Sequence, residues 1–595
     1  MSAYIVTTTA DWNPQDPSLP PGYTIPGSLR DAINQINADI NADGTSKLSC
    51  TNSDPNRDEI DFDITAGTDT GGGFNAATGV ATIQPQTALP DFNNAVLIDG
   101  YTQAGASRNT LLGPCALGST DSTLNPQKYG DNAVLKIELD GEYAGTSPGL
   151  VLDANHITVQ GLVINRFAAY GIMVAVGTTG DTIQGNFLGT DVTGGTDVTG
   201  EQALGNGGAD IKVQDEVNQL LIGGATPAAR NIISGALNDY PAAADDSGGY
   251  GISLTEDPNT HNVVQGNFIG TDVRGRSPLG NASAGIVTYG AGGNLIGGSV
   301  PGAGNVISGN GTYGVVADTP APDTYEGNFV GTDVTGTKAI GNGDEGFMGG
   351  PFTIGGPGAG NLVSANGRAA ELRLGGSVIQ GNFLGTDVTG TKRLGTNPVA
   401  IWDGDEGGAG DSTIGGTASG DGNLIAASIE LSLPGNLVQG NFIGTDITGA
   451  TALGPGSVDL YPGASNNTIG GTTTAARNLI AGGVYMGDTP WARSGNDLPS
   501  NNVVEGNYIG TDTTGTQALA NGAGTGIQLS GALNNTIGGT APGAGNIIYG
   551  RAAGIQFDSG NNPIDPNSGN VVQGNYISTD VPGTGVHGIG IGTGV

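Results

Sequence analysis

Basic residues are scarce: 19 Lys and Arg stand against 55 Asp and Glu in 595 residues, a formal net charge of −36. A surface of that sign repels phosphates, so nucleic acid is excluded as a partner, and docking on anionic lipid with it. Histidine is limited to three residues, His156, His261 and His587. None has the spacing of a metal site or of a Ser-His-Asp triad. No apolar run reaches the roughly 18 residues of a membrane span, so no membrane insertion is expected. The opening MSAYIVTTTADW has neither the basic nor the apolar region of a signal peptide. The expected location is nonetheless extracellular or at the cell surface, with the signal removed. No glycine cluster is followed by the Gly-Lys-Ser/Thr of a phosphate-binding loop. Of the two cysteines, Cys50 and Cys115, one disulfide is the only intrachain pairing, and two buried thiols fit equally well.

Glycine is what the chain has in excess, with 111 residues, and a mainly helical fold is excluded because each costs about 1 kcal/mol inside a helix. Thirty prolines and no strict triplet exclude collagen, while 36% hydrophobic residues suffice for a core. The order comes from repetition. One phrase recurs as GNFLGTD at 185–191, GNFIGTD at 266–272, GNFVGTD at 327–333, GNFLGTD at 381–387, GNFIGTD at 440–446, GNYIGTD at 506–512 and GNYISTD at 574–580. A second, TIGG or LIGG followed by a loop and a segment such as NVISGN at 305–310, alternates with it. A third, a short G-Φ-x-Φ strand with Φ apolar, follows both, from GLVL at 149 to GIGI at 588, at spacings of 22 to 43 residues.

Such self-similarity signals a solenoid, in which stacked turns share a core that no single turn can close. Each period holds several short β-branched strands between Gly, Asn and Asp, with no helical pattern. The expected fold is all-β: a single-stranded right-handed parallel β-helix with a short N-terminal capping helix. Residues 1–148 are assigned to the cap and first irregular coils. Residues 149–595 form the regular body, about 15 coils and roughly 67 Å long at about 4.8 Å per coil. The aromatic of each GNF or GNY phrase, from Phe187 to Tyr576, is expected to form an internal stack. Asn267, Asn328, Asn382 and Asn441 are expected to stack at a bend and satisfy backbone groups of neighbouring coils. Ser28 reads as the N-cap of the helix, with Asp31 as its reciprocal partner and Leu29, Ile33, Ile36 and Ile40 as one apolar stripe.

In the order GSLRDAI, LIDGYTQAG, GLVINRF and then GNFIGTD units, the chain resembles the right-handed β-helix repeat proteins of bacterial cell surfaces, within the pectate-lyase-like superfamily. The resemblance covers nearly the whole chain and implies the right-handed coil. It implies no single activity, because that architecture hosts lyases, glycoside hydrolases, tailspikes and passive adhesins.

Asp191, Asp272, Asp333, Asp387, Asp446, Asp512 and Asp580 repeat with the GTD phrase, so a turn explains them better than seven identical active sites. Weak calcium binding by these loops is the remaining option. Chemistry is sought instead where the repeat varies. In G-Φ-x-Φ the x residue faces solvent. That ladder reads Val151, Met173, Lys212, Ser253, Val287, Val316, Met348, Arg373, Ala400, Glu430, Asp459, Tyr485, Gln528, Gln556 and Gly590. Its charges lie in the middle, beside Trp402, Asp403, Tyr461, Trp491 and Arg493.

Glu430 and Asp459 fall one coil apart, and two carboxylates at about 4.8 Å repel, which raises one pKa. A split pair of this kind provides the acid and base of glycoside hydrolysis. Arg373 and Tyr485 complete the candidate catalytic set; Trp402, Tyr461, Trp491, Arg493 and Asp403 are the candidate sugar contacts. A polysaccharide lyase needs a base and a cation for the uronate, and the acidic charge opposes such a substrate, so hydrolysis or binding of a neutral glycan is the easier chemistry. No cofactor is required by this reading; calcium bridging the two carboxylates is an alternative. The other alternative is a passive surface, adhesin or fibre-like protein whose outward residues are merely solvated, and a homo-oligomer is left open.

Overall fold

A computed structural model of the chain describes residues 3–11, 23–39, 57–118, 126–195, 204–238, 248–255, 259–290, 292–404, 410–487, 498–519, 524–550, 552–558 and 567–577. They form a right-handed parallel β-helix of three stacks of short strands, with one α-helix among the described residues. The first stack runs from Leu150–Leu152 to Ala553–Asp558 and contains the G-Φ-x-Φ phrases, apart from the one at 588, which lies outside the described residues. The second begins at Ala3–Val6 and Asp58–Phe62 and ends at Val571–Gln573. The third runs from Val80–Ile83 to Tyr576–Ile577, mostly as two-residue strands. Neighbours pair in parallel register throughout, except for the hairpin Phe74–Asn75 with Val80–Ile83.

Inward residues of all three stacks meet in one core. Ile172, Ile211, Ile252 and Ile286 from the first, Ile183 and Ile222 from the second, and Leu188 and Ile233 from the third are all fully buried. Each contributes about 1.5–3 kcal/mol relative to exposure. Where the strands lengthen, at Tyr313–Glu326 and Phe347–Gly355, the core widens and takes aromatics. There Tyr325, Phe347 and Phe352 pack edge to face with centroids 5.1–5.8 Å apart.

The GNF aromatics correct the expectation of an internal stack. In Phe187–Leu188, Leu188 points into the core and Phe187 points away from it. Phe187, Phe268 and Phe329 form a second apolar cluster with Ile232, Val306 and Leu362 from the alternate coils. The valines that follow GTD, Val273, Val334 and Val388, fold over it. The GTD loop is therefore the lid of that cluster, and its aspartate is the fold of the lid. Asp333 accepts from the Thr335 hydroxyl at 2.9 Å and from the backbone N–H of Thr337 and Lys338 at 3.0 and 3.1 Å. Asp580 lies outside the described residues.

The asparagine stack is longer than the repeated phrase implied. Asn186, Asn231, Asn267, Asn305, Asn328 and Asn361 continue through Asn382, Asn423, Asn441, Asn478, Asn507 and Asn546 to Asn575, one per coil. Asn382 is typical: its Nδ2 donates to Asn423 Oδ1 at 3.0 Å and to the Ile354 carbonyl at 2.7 Å, and its Oδ1 accepts from the Asn361 backbone N–H at 2.8 Å. These buried amides satisfy the turn between the second and third stacks.

The helix, α1 (Leu29–Ala38), caps the first coil with Leu29, Ala32, Ile33 and Ile36 buried. Ser28 Oγ accepts from the Asp31 N–H at 3.1 Å. The reciprocal bond is displaced by one residue, because Asp31 Oδ2 accepts from the Gly27 N–H at 2.9 Å. Ile40 and Cys50 lie outside the described residues. Residues 107–118 and 126–134 leave the coil, closed by the Ser107 N–H on the Val134 carbonyl at 2.9 Å, and the first of these segments reaches Val388, whose carbonyl accepts from the Gly118 N–H at 2.8 Å. Buried Arg230 holds this arm, donating to the Leu111 carbonyl at 3.0 Å while its guanidinium lies 4.5 Å from the Phe268 ring.

Candidate functional site

The outward ladder of the first stack is set by strand register. Met348 pairs with Glu371, Glu371 with Trp402, Trp402 with Glu430, Glu430 with Asp459 and Asp459 with Tyr485. Gln528 and Gln556 follow. Two positions differ from the sequence reading. Ala370 and Leu372 are the inward residues of their coil, so Glu371 takes the place assigned to Arg373. Ile401 is inward in the next, so Trp402 replaces Ala400, across an irregularity between Val399 and Ile401. Arg373 is exposed past the strand end, and its Nε donates to Glu371 Oε1 at 2.8 Å.

The correction draws the cluster tighter. Trp402, Glu430, Asp459 and Tyr485 now occupy one position in four successive coils, about 4.8 Å apart. Tyr461 lies beside them, two residues after Asp459, with its ring centroid 6.1 Å from that of Tyr485. Its hydroxyl is near enough to Glu430 to favour the charged form of that carboxyl. Ser457 Oγ donates to Asp459 Oδ2 at 2.8 Å and lies 2.9 Å from Ser428 Oγ. At the other end, the Arg368 guanidinium lies 4.5 Å from the Trp402 ring and pairs with Glu345 at 3.1 Å and with Glu371.

The two central carboxyls are both raised, and the main cause is burial among the flanking side chains. Asp459 is pushed up to about 7 by burial, against the Ser457 hydroxyl and with the Glu430 charge adding to it. Repulsion between the pair, the cause expected from spacing, is therefore the smaller one. Burial also raises Glu430, while the Arg368 charge and the Tyr461 hydroxyl oppose it. Near neutral pH, Asp459 holds its proton for a good part of the time.

Asp403 does not belong to this face. It is buried, with its carboxylate accepting from the Ser432 N–H at 2.6 Å and from Asn436 Nδ2 at 2.6 Å, and it ties one coil to the next. Trp491 and Arg493 lie outside the described residues, as do Asp405, Glu406 and Asp488. Sequence reasoning missed Glu345, Glu371 and Arg368; the run NGRAAEL carries the signal in two opposite charges three residues apart. Among the described residues no group of three or more His, Cys, Asp or Glu is placed to hold a metal ion. The Glu430–Asp459 pair alone falls short of the six to eight oxygens that calcium takes. No described helix is long and apolar enough to cross a membrane.

No known family and no curated protein matches the chain. Among solved structures it is similar to the tailspike protein of E. coli bacteriophage HK620 in complex with a pentasaccharide, at 15% identity and a TM-score of 0.21, over 94% of this chain and 79% of that one. A mutant of the same tailspike, also with pentasaccharide, aligns at 14% identity and a TM-score of 0.21, over 94% and 78%. No residue correspondence follows from superpositions of that quality.

Proposed function

We propose that this β-helix binds a polysaccharide along the lateral face of its central coils and hydrolyses a glycosidic bond there, outside the cell or at its surface. The observation that carries the reading is the convergence of Trp402, Glu430, Asp459 and Tyr485 on one outward position of four consecutive coils. The repeat does not require these side chains; the core and the asparagine stack are complete without them. Aromatic rings offer an apolar face to the C–H face of sugars, and Trp402, Tyr461 and Tyr485 bracket the carboxyl pair.

Asp459, held near neutrality with its proton, is the general acid that protonates the leaving oxygen. Glu430 is the ionised partner, steadied by the Tyr461 hydroxyl and by the charge of Arg368. It serves as nucleophile or as base toward water, according to the carboxyl separation when a glycan is bound. Arg373 supports Glu371 rather than the reacting atoms, and Trp491 and Arg493 are retained as glycan contacts. A passive adhesin or fibre-like protein is the second reading, favoured by the earlier coils, where the ladder carries the uncharged Val151 and Met173 and where Val287 and Val316 are buried in an apolar cluster with Ala209, Tyr250 and Ala284.

A glycan array of the purified chain, with and without calcium, tests the reading when run beside Glu430→Gln and Asp459→Asn. Binding by the wild type that both variants lose, at unchanged melting temperature, supports it. A blank array in both conditions removes it in favour of the passive protein.

A further inference from the structure

Arg368 is the cation nearest the aromatic end of the face, and its charge is already committed. Its Nη1 lies 3.1 Å from Glu345 Oε1 and also pairs with Glu371 Oε2. Those two carboxylates are nearly closed to solvent, at 4% and 7% exposure, while the Arg368 side chain that joins them is 30% exposed. Arg373, the other arginine here, directs its Nε to the second oxygen of Glu371 at 2.8 Å. The face beyond them carries Glu430 and Asp459, then the uncharged Tyr485, Gln528 and Gln556.

The same guanidinium is laid on the Trp402 indole, 4.5 Å from the ring. The indole is held close on another side as well. A methyl group built on Gly404 would come within 2.6–2.8 Å of three indole atoms, including Nε1. Trp402 is thus a fixed plate, supported by Arg368 and by the backbone at a residue where only glycine leaves room. Guanidinium stacking on a Trp face is attractive and helps to hold the ring there.

We infer that the face selects an uncharged sugar, and that Arg368 is a positioning residue that fixes the Trp402 plate rather than a cation offered to a substrate carboxylate. Among the described residues, a uronate would bring a negative charge to a strip whose two arginines, Arg368 and Arg373, are engaged by Glu345 and Glu371 and whose nearest carboxyls are those of Glu430 and Asp459. A neutral hexose needs only the plate and hydrogen-bond partners. This rests on the glycan-binding reading above and names the class of sugar that the reading leaves open.

Two measurements separate the inference from that reading. The first needs no glycan: the fluorescence contribution of Trp402, taken as the difference from Trp402→Phe, is recorded for the wild type, Arg368→Lys and Gly404→Ala. Lysine keeps the charge but not the planar stack, and Gly404→Ala leaves every charge in place, so a poorly folding arginine variant does not end the test. Both variants are expected to shift the Trp402 emission to the red. Unchanged emission in both overturns the positioning role.

The second is calorimetric titration with matched neutral and uronate-containing oligosaccharides. The wild type is expected to bind the neutral member at least about tenfold more tightly, Arg368→Lys to weaken that binding about tenfold, and Glu371→Gln to narrow the preference by releasing Arg373 and leaving Arg368 paired with Glu345 alone. Equal or tighter binding of the uronate by the wild type overturns the selectivity. If neither sugar binds, the glycan reading and the selectivity fall together, and the emission result still decides the placement of Arg368.

Discussion

Of the ladders that run along this molecule, two contrast most, one at the turn between the second and third stacks and one on the outward face of the first. The turn ladder is asparagine in coil after coil, from Asn186 to Asn575, because each amide has the same backbone groups to satisfy. The outward ladder has no single repeated duty: Ser253, Val287 and Val316 are buried on it in the earlier coils, and its residues vary along the stack. In the earlier coils it reads Val151, Met173, Lys212, Ser253, Val287 and Val316; in the central ones Glu371, Trp402, Glu430, Asp459 and Tyr485. In a repeat protein the invariant positions therefore describe the scaffold, and chemistry belongs where the scaffold leaves the choice of residue free.

Substitution within the turn ladder gives the largest effect on stability. Asn382→Ala removes the side-chain partner of the Ile354 carbonyl, of the Asn361 backbone N–H and of Asn361 Nδ2, while Asn423 Oδ1 keeps the Asn382 backbone N–H. It is expected to cost about 3 kcal/mol in denaturant unfolding. A loss under 1 kcal/mol would place the strength of the coil elsewhere. The converse holds on the outward ladder, where Glu430→Gln is expected to abolish turnover of a bound glycan while shifting the unfolding midpoint hardly at all. A large fall in stability in that variant would make Glu430 part of the scaffold.

A smaller effect concerns pH. Asp181 and Asp459 are raised to about 7, and Asp131 and Asp323 to about 6, chiefly by burial. In Asp131, Asp181 and Asp323 one buried carboxylate oxygen has no protein partner, which suits a protonated carboxyl. Folded pKa values above the unfolded ones mean that the folded state binds more protons. The stability they contribute is present below about pH 4 and is lost as pH rises through 6 and 7. The melting temperature is therefore expected to fall by several degrees between pH 5 and pH 8, and by less in Asp181→Asn. A melting temperature that rises across that interval contradicts the assignment. The smallest effect is expected from Asp333→Ala, which opens one GTD lid at a cost of about 1–2 kcal/mol and leaves glycan binding untouched.

The fold was legible because repetition made each coil a witness to the others. The limits of that legibility lie in strands too short or too apolar to show their phase. A two-residue strand such as Phe187–Leu188 has no alternation to read, so the outward direction of its aromatic was hidden until the third stack was in place. In AELRL, apolar residues at 370, 372 and 374 permit two readings, and only pairing of Ala370 with Phe347 and Ile401 shows that Leu374 lies outside. The asparagines of alternate coils, such as Asn305 and Asn423, sit in GNVI and GNLI, which keep the Gly-Asn-apolar-Ile order of GNFI but lack its aromatic and the GTD that follows. At the candidate site, Glu430, Asp459, Tyr461, Tyr485 and Trp402 were legible from period and type. The burial of Asp403 was not, because its donors, Ser432 and Asn436, come from the next coil.

The most direct test is product analysis of the best glycan-array ligand after incubation with the wild type and with Asp459→Asn. Shorter oligosaccharides released by the wild type alone are the expected result. Absence of a ligand on the array, or identical products from both proteins, would contradict the assignment of the central face as a site of glycan cleavage.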